Sequence, residues 1–101
     1  MSTFKSSLDT HIFYKIDDHT DPDFEPQTIV FIHGFCETTE AWRTWVPSFS
    51  RQYKVVRYDQ RGFGQTGSVS EDFIFTPELI IDDLTRLIHL VSPNKKVHIV
   101  S

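Results

Sequence analysis

The chain has 101 residues, of which 39% are hydrophobic and 24% are charged, and its formal net charge is −4. This length and composition predict one small globular domain rather than a disordered segment. The ten Lys and Arg residues are dispersed, with Lys95-Lys96 as their only adjacent pair. This argues against a nucleic-acid partner, because phosphate binding needs a clustered basic surface.

The cysteine content and the length of the apolar runs bear on the cellular location of the protein. Cys36 is the single cysteine, so no disulfide can form within the chain. The first residues contain no apolar core of signal-peptide length, and no apolar run approaches the roughly 18 residues that cross a bilayer. These features predict a cytoplasmic protein with no membrane partner. Because no histidine pair has metal-ligand spacing with a third ligand, neither a metal nor another cofactor is expected.

The first part of the chain predicts three strands. Alternating runs at residues 3–8 and 10–16 indicate a weak β-hairpin, with residues 1–9 loosely ordered. Residues 17–27 hold four Asp and two Pro and predict a solvated loop, without the ligand spacing of a calcium site. Residues 28–32, TIVFI, are apolar on both faces, as in a central strand of a parallel sheet.

The next segment predicts a helix and then a strand. Residues 39–49 have apolar side chains at helical spacing, which predicts one buried stripe. The members of that stripe are Trp42, Trp45, Val46 and Phe49. Thr38 or Thr39 can cap the start of this helix, and Pro47 should kink or split it. Residues 54–58, KVVRY, predict the strand that follows.

A second helix has clearer start and stop signals. Thr76 is a favourable N-cap, Pro77 suits the first helical position, and Pro93 follows the end. The predicted buried stripe consists of Ile80, Leu84, Leu87, Ile88 and Val91. The charged residues off that stripe are Asp82, Asp83 and Arg86. Residues 97–100, VHIV, predict a further strand.

These elements in order predict an α/β fold in which a β-hairpin precedes a parallel βαβαβ unit. The last strand ends beside Ser101, and its carboxyl end is where α/β proteins place their chemistry, so the sheet is expected to be incomplete. We therefore expect residues 1–101 to be a single partial domain, the N-terminal part of a longer protein. The open edge of the last strand predicts poor stability and aggregation of the isolated chain.

The glycines at residues 62–67 fit the dinucleotide-binding pattern G-x-G-x-x-G. That pattern needs a helix that begins at the glycines, so that the pyrophosphate meets a helix N-terminus. Here the helix-start signals come only at Thr76 and Pro77. Dinucleotide binding is therefore not expected, and the glycines are interpreted as tight turns.

Two motifs, each directly after a predicted strand, carry a family resemblance. One is HGF at residues 33–35 with Trp42 in the next helix, and the other is YDQRGFGQTG at residues 58–67. Together they resemble the α/β-hydrolase superfamily, and KKVHIVS at residues 95–101 resembles the segment that leads to its nucleophile elbow. The resemblance covers residues 10–101 and implies the N-terminal part of an α/β-hydrolase fold.

The resemblance implies roles for the turn after the third strand. The family takes one oxyanion-hole donor from this turn, which corresponds to the backbone N–H of Phe35, and Gly34 permits the turn. His33 is expected to hydrogen-bond neighbouring loops, because the family's catalytic base comes last in the chain. The Phe35 ring and Cys36 are candidates for lining the substrate pocket. Cys36 has neither the base nor the elbow that a thiolate nucleophile needs.

The DQRG turn is expected to support that site rather than to react. Asp59 should accept backbone N–H groups, and Arg61 should pair with a carboxylate or carbonyl group. Gly62 and Gly64 should supply the tight backbone turns.

By the same resemblance, the elbow G-x-S-x-G would begin at Ser101, and its nucleophile would lie two positions later. Nucleophile, acid and base are then absent from this chain, which is expected to be inactive alone. The two motifs resemble those of small-molecule esterases, enol-lactonases and cofactor-free haloperoxidases, which implies an ester or lactone substrate.

Three alternatives stay open. One is an epoxide hydrolase or haloalkane dehalogenase with an Asp nucleophile, in which Pro commonly follows HGF where this chain has Cys36. Another is a non-catalytic ligand-binding member of the same fold. The third is that the short chain is a non-catalytic product without a role of its own.

Overall fold

The computed structural model describes residues 2–6, 10–23, 25–33, 38–67, 74, 76–93 and 95–101. Its strands are β1 (Ser2–Lys5), β2 (His11–Asp17), β3 (Gln27–Ile32), β4 (Tyr53–Tyr58) and β5 (Val97–Val100). Among the described residues, the α-helices are α1 (Val46–Phe49) and α2 (Pro77–Val91), and 3₁₀ helices span Thr39–Trp45 and Gly64–Thr66.

The five strands form one mixed sheet in the order β1-β2-β4-β3-β5. The β1–β2 and β2–β4 pairs are antiparallel, whereas β3 is parallel to both of its neighbours, β4 and β5. The predicted hairpin and parallel strands are therefore confirmed. Pairing of Ser2 with Tyr14 and of Lys5 with His11 places residues 2–5 in the sheet.

Successive side chains of the central strands point to opposite faces of the sheet, so the hydrophobic core has two parts, one on each face. Val56 and Tyr58 point to one face, where α2 packs, and Val55 points to the other, where α1 packs. The buried residues of the α2 face are Ile12, Val30, Val56, Tyr58, Leu87 and Val91. Those of the α1 face are Ile29, Phe31, Val46 and Val55.

The predicted helix at residues 39–49 is a 3₁₀ helix followed by a single α-helical turn. The Thr38 hydroxyl accepts the N–H of Glu40, which confirms the predicted cap. Trp42 stacks on Phe31 at 5.1 Å between ring centroids, but the Trp45 residue is 51% exposed. The predicted burial of Trp45 was wrong: its ring packs against Trp42 at 6.3 Å and Phe49 at 6.2 Å between centroids, on the outside of the helix, and not into the sheet core.

Helix α2 begins and ends where the sequence predicts, but its buried face is rotated. The Thr76 hydroxyl accepts the N–H of Leu79 at 3.1 Å, and Pro77 is the first helical residue. Ile80 is 42% exposed, whereas Asp83 is only 5% exposed and shares the buried face with Leu87. The predicted stripe was therefore wrong at these two positions, because it counted only apolar residues.

Strand β5 forms one edge of the described sheet. It pairs with β3, and its Ile99 and Val100 are 50% and 37% exposed. In the part of the chain that the structure describes, no helix has the length and apolar character to cross a membrane.

The cap of α2 is testable by substitution. Thr76→Ala removes the acceptor for the Leu79 N–H and should lower the free energy of unfolding by about 1 kcal/mol. Thr85→Ala is the matched control on the exposed side of the same helix and should change it by less than about 0.5 kcal/mol. Urea denaturation of both variants measures the difference, and equal effects would contradict the capping role.

Candidate active site

The carboxyl ends of β3 and β4 lie side by side and position the candidate site. Ile32 pairs with Tyr58 at the last register position, so His33 and Asp59 leave the sheet at the same edge. The Gln60 backbone N–H donates to His33 Nε2 at 2.8 Å, and the Gln60 side-chain amide donates to the His33 carbonyl at 2.7 Å. Because Nε2 already accepts a hydrogen bond, that atom joins the two loops and is not free to take a substrate proton.

The predicted oxyanion-hole turn lies outside the described residues. Gly34, Phe35 and Cys36 all belong to the segment 34–37, so their roles remain predictions. The structure does describe the residues on either side of that segment. His33 precedes it and is bonded to Gln60, and Thr39 follows closely and is bonded to Asp59.

The Asp59 carboxylate joins both sides of the loop after β4. Asp59 is 1% exposed, and its Oδ1 accepts the Thr39 N–H at 2.6 Å while Oδ2 accepts the Gln65 N–H at 2.9 Å. The Thr66 hydroxyl donates to the Asp59 carbonyl at 2.5 Å and accepts the N–H of Phe13 at 3.0 Å. The expected acceptance of backbone N–H groups by Asp59 is thus observed. Both carboxylate oxygens face the protein, which is unlike a carboxylate that is presented to substrate.

Glycine is required where the loop passes Asp59. Gly64 has φ +53°, and a Cβ there would lie 2.4 Å from Asp59 Oδ2. Gly62 also has a positive φ, of 93°, so both glycines make the tight turns expected of them. The first α-helix that the structure describes after these glycines begins at Pro77, and between Gly67 and Pro77 only residues 74 and 76 are described.

The Arg61 guanidinium is buried against α2. Its Nη2 donates to Asp83 Oδ1 at 2.9 Å and its Nε donates to Asp83 Oδ2 at 3.2 Å, which is the bidentate pairing of Arg with a carboxylate. Its Nη1 donates to the Thr10 hydroxyl at 3.0 Å, and the Ser6 hydroxyl donates to Asp83 Oδ1. The expected pairing of Arg61 with a carboxylate is observed, and the partner is a residue that sequence reasoning missed.

A signal for Asp83 was present in the sequence. Asp83, Leu87 and Val91 are spaced by four residues, so they lie on one helix face, and all three are buried. Including charged residues in the stripe would have placed Asp83 opposite a cationic partner from another element.

A cavity of about 320 Å³ opens beside the Arg61–Asp83 pair. Its lining residues are Tyr58, Gln60, Arg61, Phe63, Leu79, Ile80 and Asp83. Burial raises the pKa of the Tyr58 hydroxyl above its ordinary value, and the negative charge of Asp83 adds to this. An ordinary tyrosine hydroxyl is already protonated at neutral pH, and this raised pKa keeps the Tyr58 phenol protonated at more alkaline pH as well. Within the described ranges, no three His, Cys, Asp or Glu side chains are grouped so as to hold a metal ion.

The role of Asp59 gives a stability prediction. Asp59→Ala leaves the Thr39 and Gln65 N–H groups without their acceptor and should lower the free energy of unfolding by about 3 kcal/mol. Asp18 is the control, because its carboxylate also accepts a backbone N–H, from Thr20, but is exposed. Asp18→Ala should cost less than about 1 kcal/mol. Urea denaturation compares the two, and a cost for Asp59→Ala no larger than the control's would refute the bracing role.

Comparisons with known proteins agree with the fold described above. A family model described as the alpha/beta hydrolase fold matches residues 27–100. The chain is 31% identical over 74 residues to a probable oxidoreductase, EphD, of Mycobacterium tuberculosis, covering 73% of this chain and 12% of that protein. It is 35% identical over 60 residues to epoxide hydrolase 3 of Xenopus tropicalis, and this match covers 59% of this chain and 16% of that protein. It is 36% identical over 62 residues to the strigolactone esterase RMS3 of Pisum sativum, and this match covers 59% of this chain and 23% of that protein.

Solved structures show the same arrangement of elements. The α/β hydrolase MGS-M2 from a Medee basin deep-sea metagenome library has a TM-score of 0.79 at 26% identity, covering 97% of this chain and 34% of that one. The enol-lactonase of Burkholderia xenovorans has a TM-score of 0.81 at 20% identity, and the match covers 97% of this chain and 35% of that one. At this identity the likeness shows a shared fold alone. The chain spans between about an eighth and a quarter of the three curated relatives described above. With the family model matched over most of its length, this chain belongs to the α/β-hydrolase fold family.

Proposed function

We propose that the chain is the N-terminal part of a serine hydrolase that cleaves an ester or lactone bond in a small molecule. The observation that carries this proposal is the double anchoring of the segment 34–37, through His33 to Gln60 on one side and through Thr39 to Asp59 on the other. In this family that turn supplies an oxyanion-hole N–H, and such a donor is effective only when it is held in place before the reaction.

In the proposed reaction, a serine oxygen bonds to the substrate carbonyl carbon while a histidine takes the serine proton. The carbonyl oxygen becomes an oxyanion and receives a hydrogen bond from the Phe35 N–H. Collapse of this intermediate breaks the bond to the alcohol oxygen, which leaves with the proton from the histidine, and water then releases the acid. One such oxyanion donor typically lowers the barrier by about 3 kcal/mol.

This chain would contribute only the Phe35 donor and its support. The nucleophile, acid and base are proposed to belong to the part of the fold that follows Ser101. The sequence pattern favours an ester or lactone because Cys36 stands after HGF where the Asp-nucleophile group commonly has Pro. The 36% identity to a protein named as a strigolactone esterase supports this choice.

The second candidate is an epoxide hydrolase that uses an Asp nucleophile. It is supported by relatives of that name, the epoxide hydrolase 3 of Xenopus tropicalis at 35% identity and epoxide hydrolase B of Mycobacterium tuberculosis at 28%. In that reaction the carboxylate oxygen would attack an epoxide carbon and break that carbon's bond to the ring oxygen, which would take a proton from an acid group. Water would then cleave the resulting ester to release the diol and restore the carboxylate.

The coding sequence downstream of Ser101 separates the candidates. We expect Ser two positions after Ser101, within a small-residue-x-Ser-x-Gly elbow, and hydrolysis of p-nitrophenyl acetate by the extended protein. Asp at that position, with opening of styrene oxide, would overturn the serine mechanism in favour of the second candidate. Neither residue, with no turnover of either substrate, would favour a ligand-binding role.

The 101-residue chain is the matched control for that experiment. It should hydrolyse p-nitrophenyl acetate no faster than a boiled sample, because removal of triad members costs several orders of magnitude in rate. Saturable turnover by this chain would contradict the proposal, because it would place the reactive groups within these 101 residues.

A further inference from the structure

We propose that the cavity beside the Arg61–Asp83 pair is a binding site for a small uncharged carbonyl compound with an apolar body. In this site the Tyr58 hydroxyl donates a hydrogen bond to the carbonyl oxygen of the ligand. The proposal goes beyond the proposed function and does not rest on it, because it uses neither the segment 34–37 nor any residue after Ser101.

The first support is the size of the cavity and the nature of its walls. Its volume is about 320 Å³, whereas an apolar cavity of about 150 Å³ already holds a benzene molecule. Phe63 lines it from the loop after β4, and Leu79 and Ile80 line it from the first turn of α2. The space therefore suits an apolar body somewhat larger than benzene.

The second support is the hydroxyl of Tyr58, a residue that lines the cavity and is only 1% exposed. Among the described residues, this hydroxyl has no hydrogen-bond partner. Burial and then the negative charge of Asp83 raise the pKa of the hydroxyl, so it lies near that carboxylate at the cavity wall. A buried phenol usually has a partner, because an unsatisfied buried donor costs free energy. The cavity thus contains a donor for which the described residues supply no acceptor.

The third support is that the other polar groups of the wall are already engaged. The Asp83 carboxylate accepts two N–H groups of Arg61 and the Ser6 hydroxyl. The Gln60 side-chain amide donates to the His33 carbonyl. A buried water needs about two to four polar partners. One phenol donor among apolar walls therefore suits an organic ligand better than water.

The charges at the wall indicate that the ligand is uncharged. Arg61 and Asp83 are 4% and 5% exposed and neutralise each other at 2.9 Å, so an ionised ligand would bury a charge without a counter-ion. Because the Tyr58 phenol stays protonated, the complementary ligand atom is an acceptor. A carbonyl oxygen on an apolar body meets both conditions, and acetophenone is a simple compound of this class.

The test is an NMR titration of the 101-residue chain with acetophenone and, separately, with ethylbenzene, which has nearly the same shape but no oxygen. Both ligands should show nuclear Overhauser contacts to the methyl groups of Leu79 and Ile80, which line the cavity. Tyr58→Phe keeps the ring and removes the donor. It should weaken acetophenone binding about fivefold, the effect of one hydrogen bond, and should leave ethylbenzene binding unchanged or tighter.

The same variant separates a ligand-binding role from a purely structural one. If the Tyr58 hydroxyl serves a ligand, its removal should leave the midpoint of urea denaturation unchanged or raise it, because no described residue loses a partner. Tyr53→Phe is the matched control. It makes the same change in the same strand, but Tyr53 packs on the α1 face of the sheet, so both affinities should stay within about twofold.

Four results would overturn the proposal. They are an equal effect of Tyr58→Phe on both ligands, a lowered denaturation midpoint or failure of that variant to fold, acetophenone contacts outside the cavity, and no binding of acetophenone to the unaltered chain at millimolar concentration. The titration involves no nucleophile, so an Asp in place of Ser at the elbow would leave its result unchanged. An extended protein that hydrolyses esters without binding acetophenone in this cavity would keep the proposed function and refute the binding site.

Discussion

The loop after β4 depends on one buried carboxylate. Asp59 is nearly inaccessible to water, so both of its oxygens need partners within the protein. The two oxygens accept hydrogen bonds from backbone N–H groups of two separate segments. One donor is Thr39, at the start of a 3₁₀ helix, and the other is Gln65, in the turn that follows β4. The positions of these two segments are therefore coupled through a single side chain.

Other features of the loop follow from that constraint. The carboxylate fills the space beside Gly64, so no side chain fits there, and the positive φ of Gly64 suits the same residue. The chain then returns to β2 through Thr66, which bonds to both Asp59 and Phe13. Of the glycines that resemble a nucleotide-binding pattern, Gly64 is thus explained by close packing around an aspartate, whereas Gly67 has open space beside it and is explained by its positive φ of +90°.

The same loop connects the fold to the proposed chemistry. Parallel pairing of β3 and β4 brings His33 and Asp59 to one edge of the sheet, and Gln60 bonds the two strand ends together. Preorganised backbone donors are valuable in acyl transfer because they need no rearrangement as charge develops. A rigid frame on both sides of the segment 34–37 is what such a donor would require.

Much of the fold was predictable because strand and cap signals are local. The apolar runs marked β3 and β4, and Thr76 with Pro77 marked the start of α2. Trp45 was misplaced because apolar spacing does not tell a ring that enters the core from one that covers other aromatic rings at the surface, as Trp45 covers Trp42 and Phe49. Asp83 was missed because its burial depends on Arg61, which is distant in sequence, and a pattern of apolar spacing does not record such a partner.

The most direct test of the account is whether Asp59 is the reason that Gly64 must be glycine. Gly64→Ala should lower the free energy of unfolding by about 2–3 kcal/mol, from backbone strain and from the contact with Asp59 Oδ2. In an Asp59→Ala background the same change should cost at least about 1 kcal/mol less, because the carboxylate that it meets has been removed. Additive costs within about 0.5 kcal/mol would contradict the central role of this carboxylate.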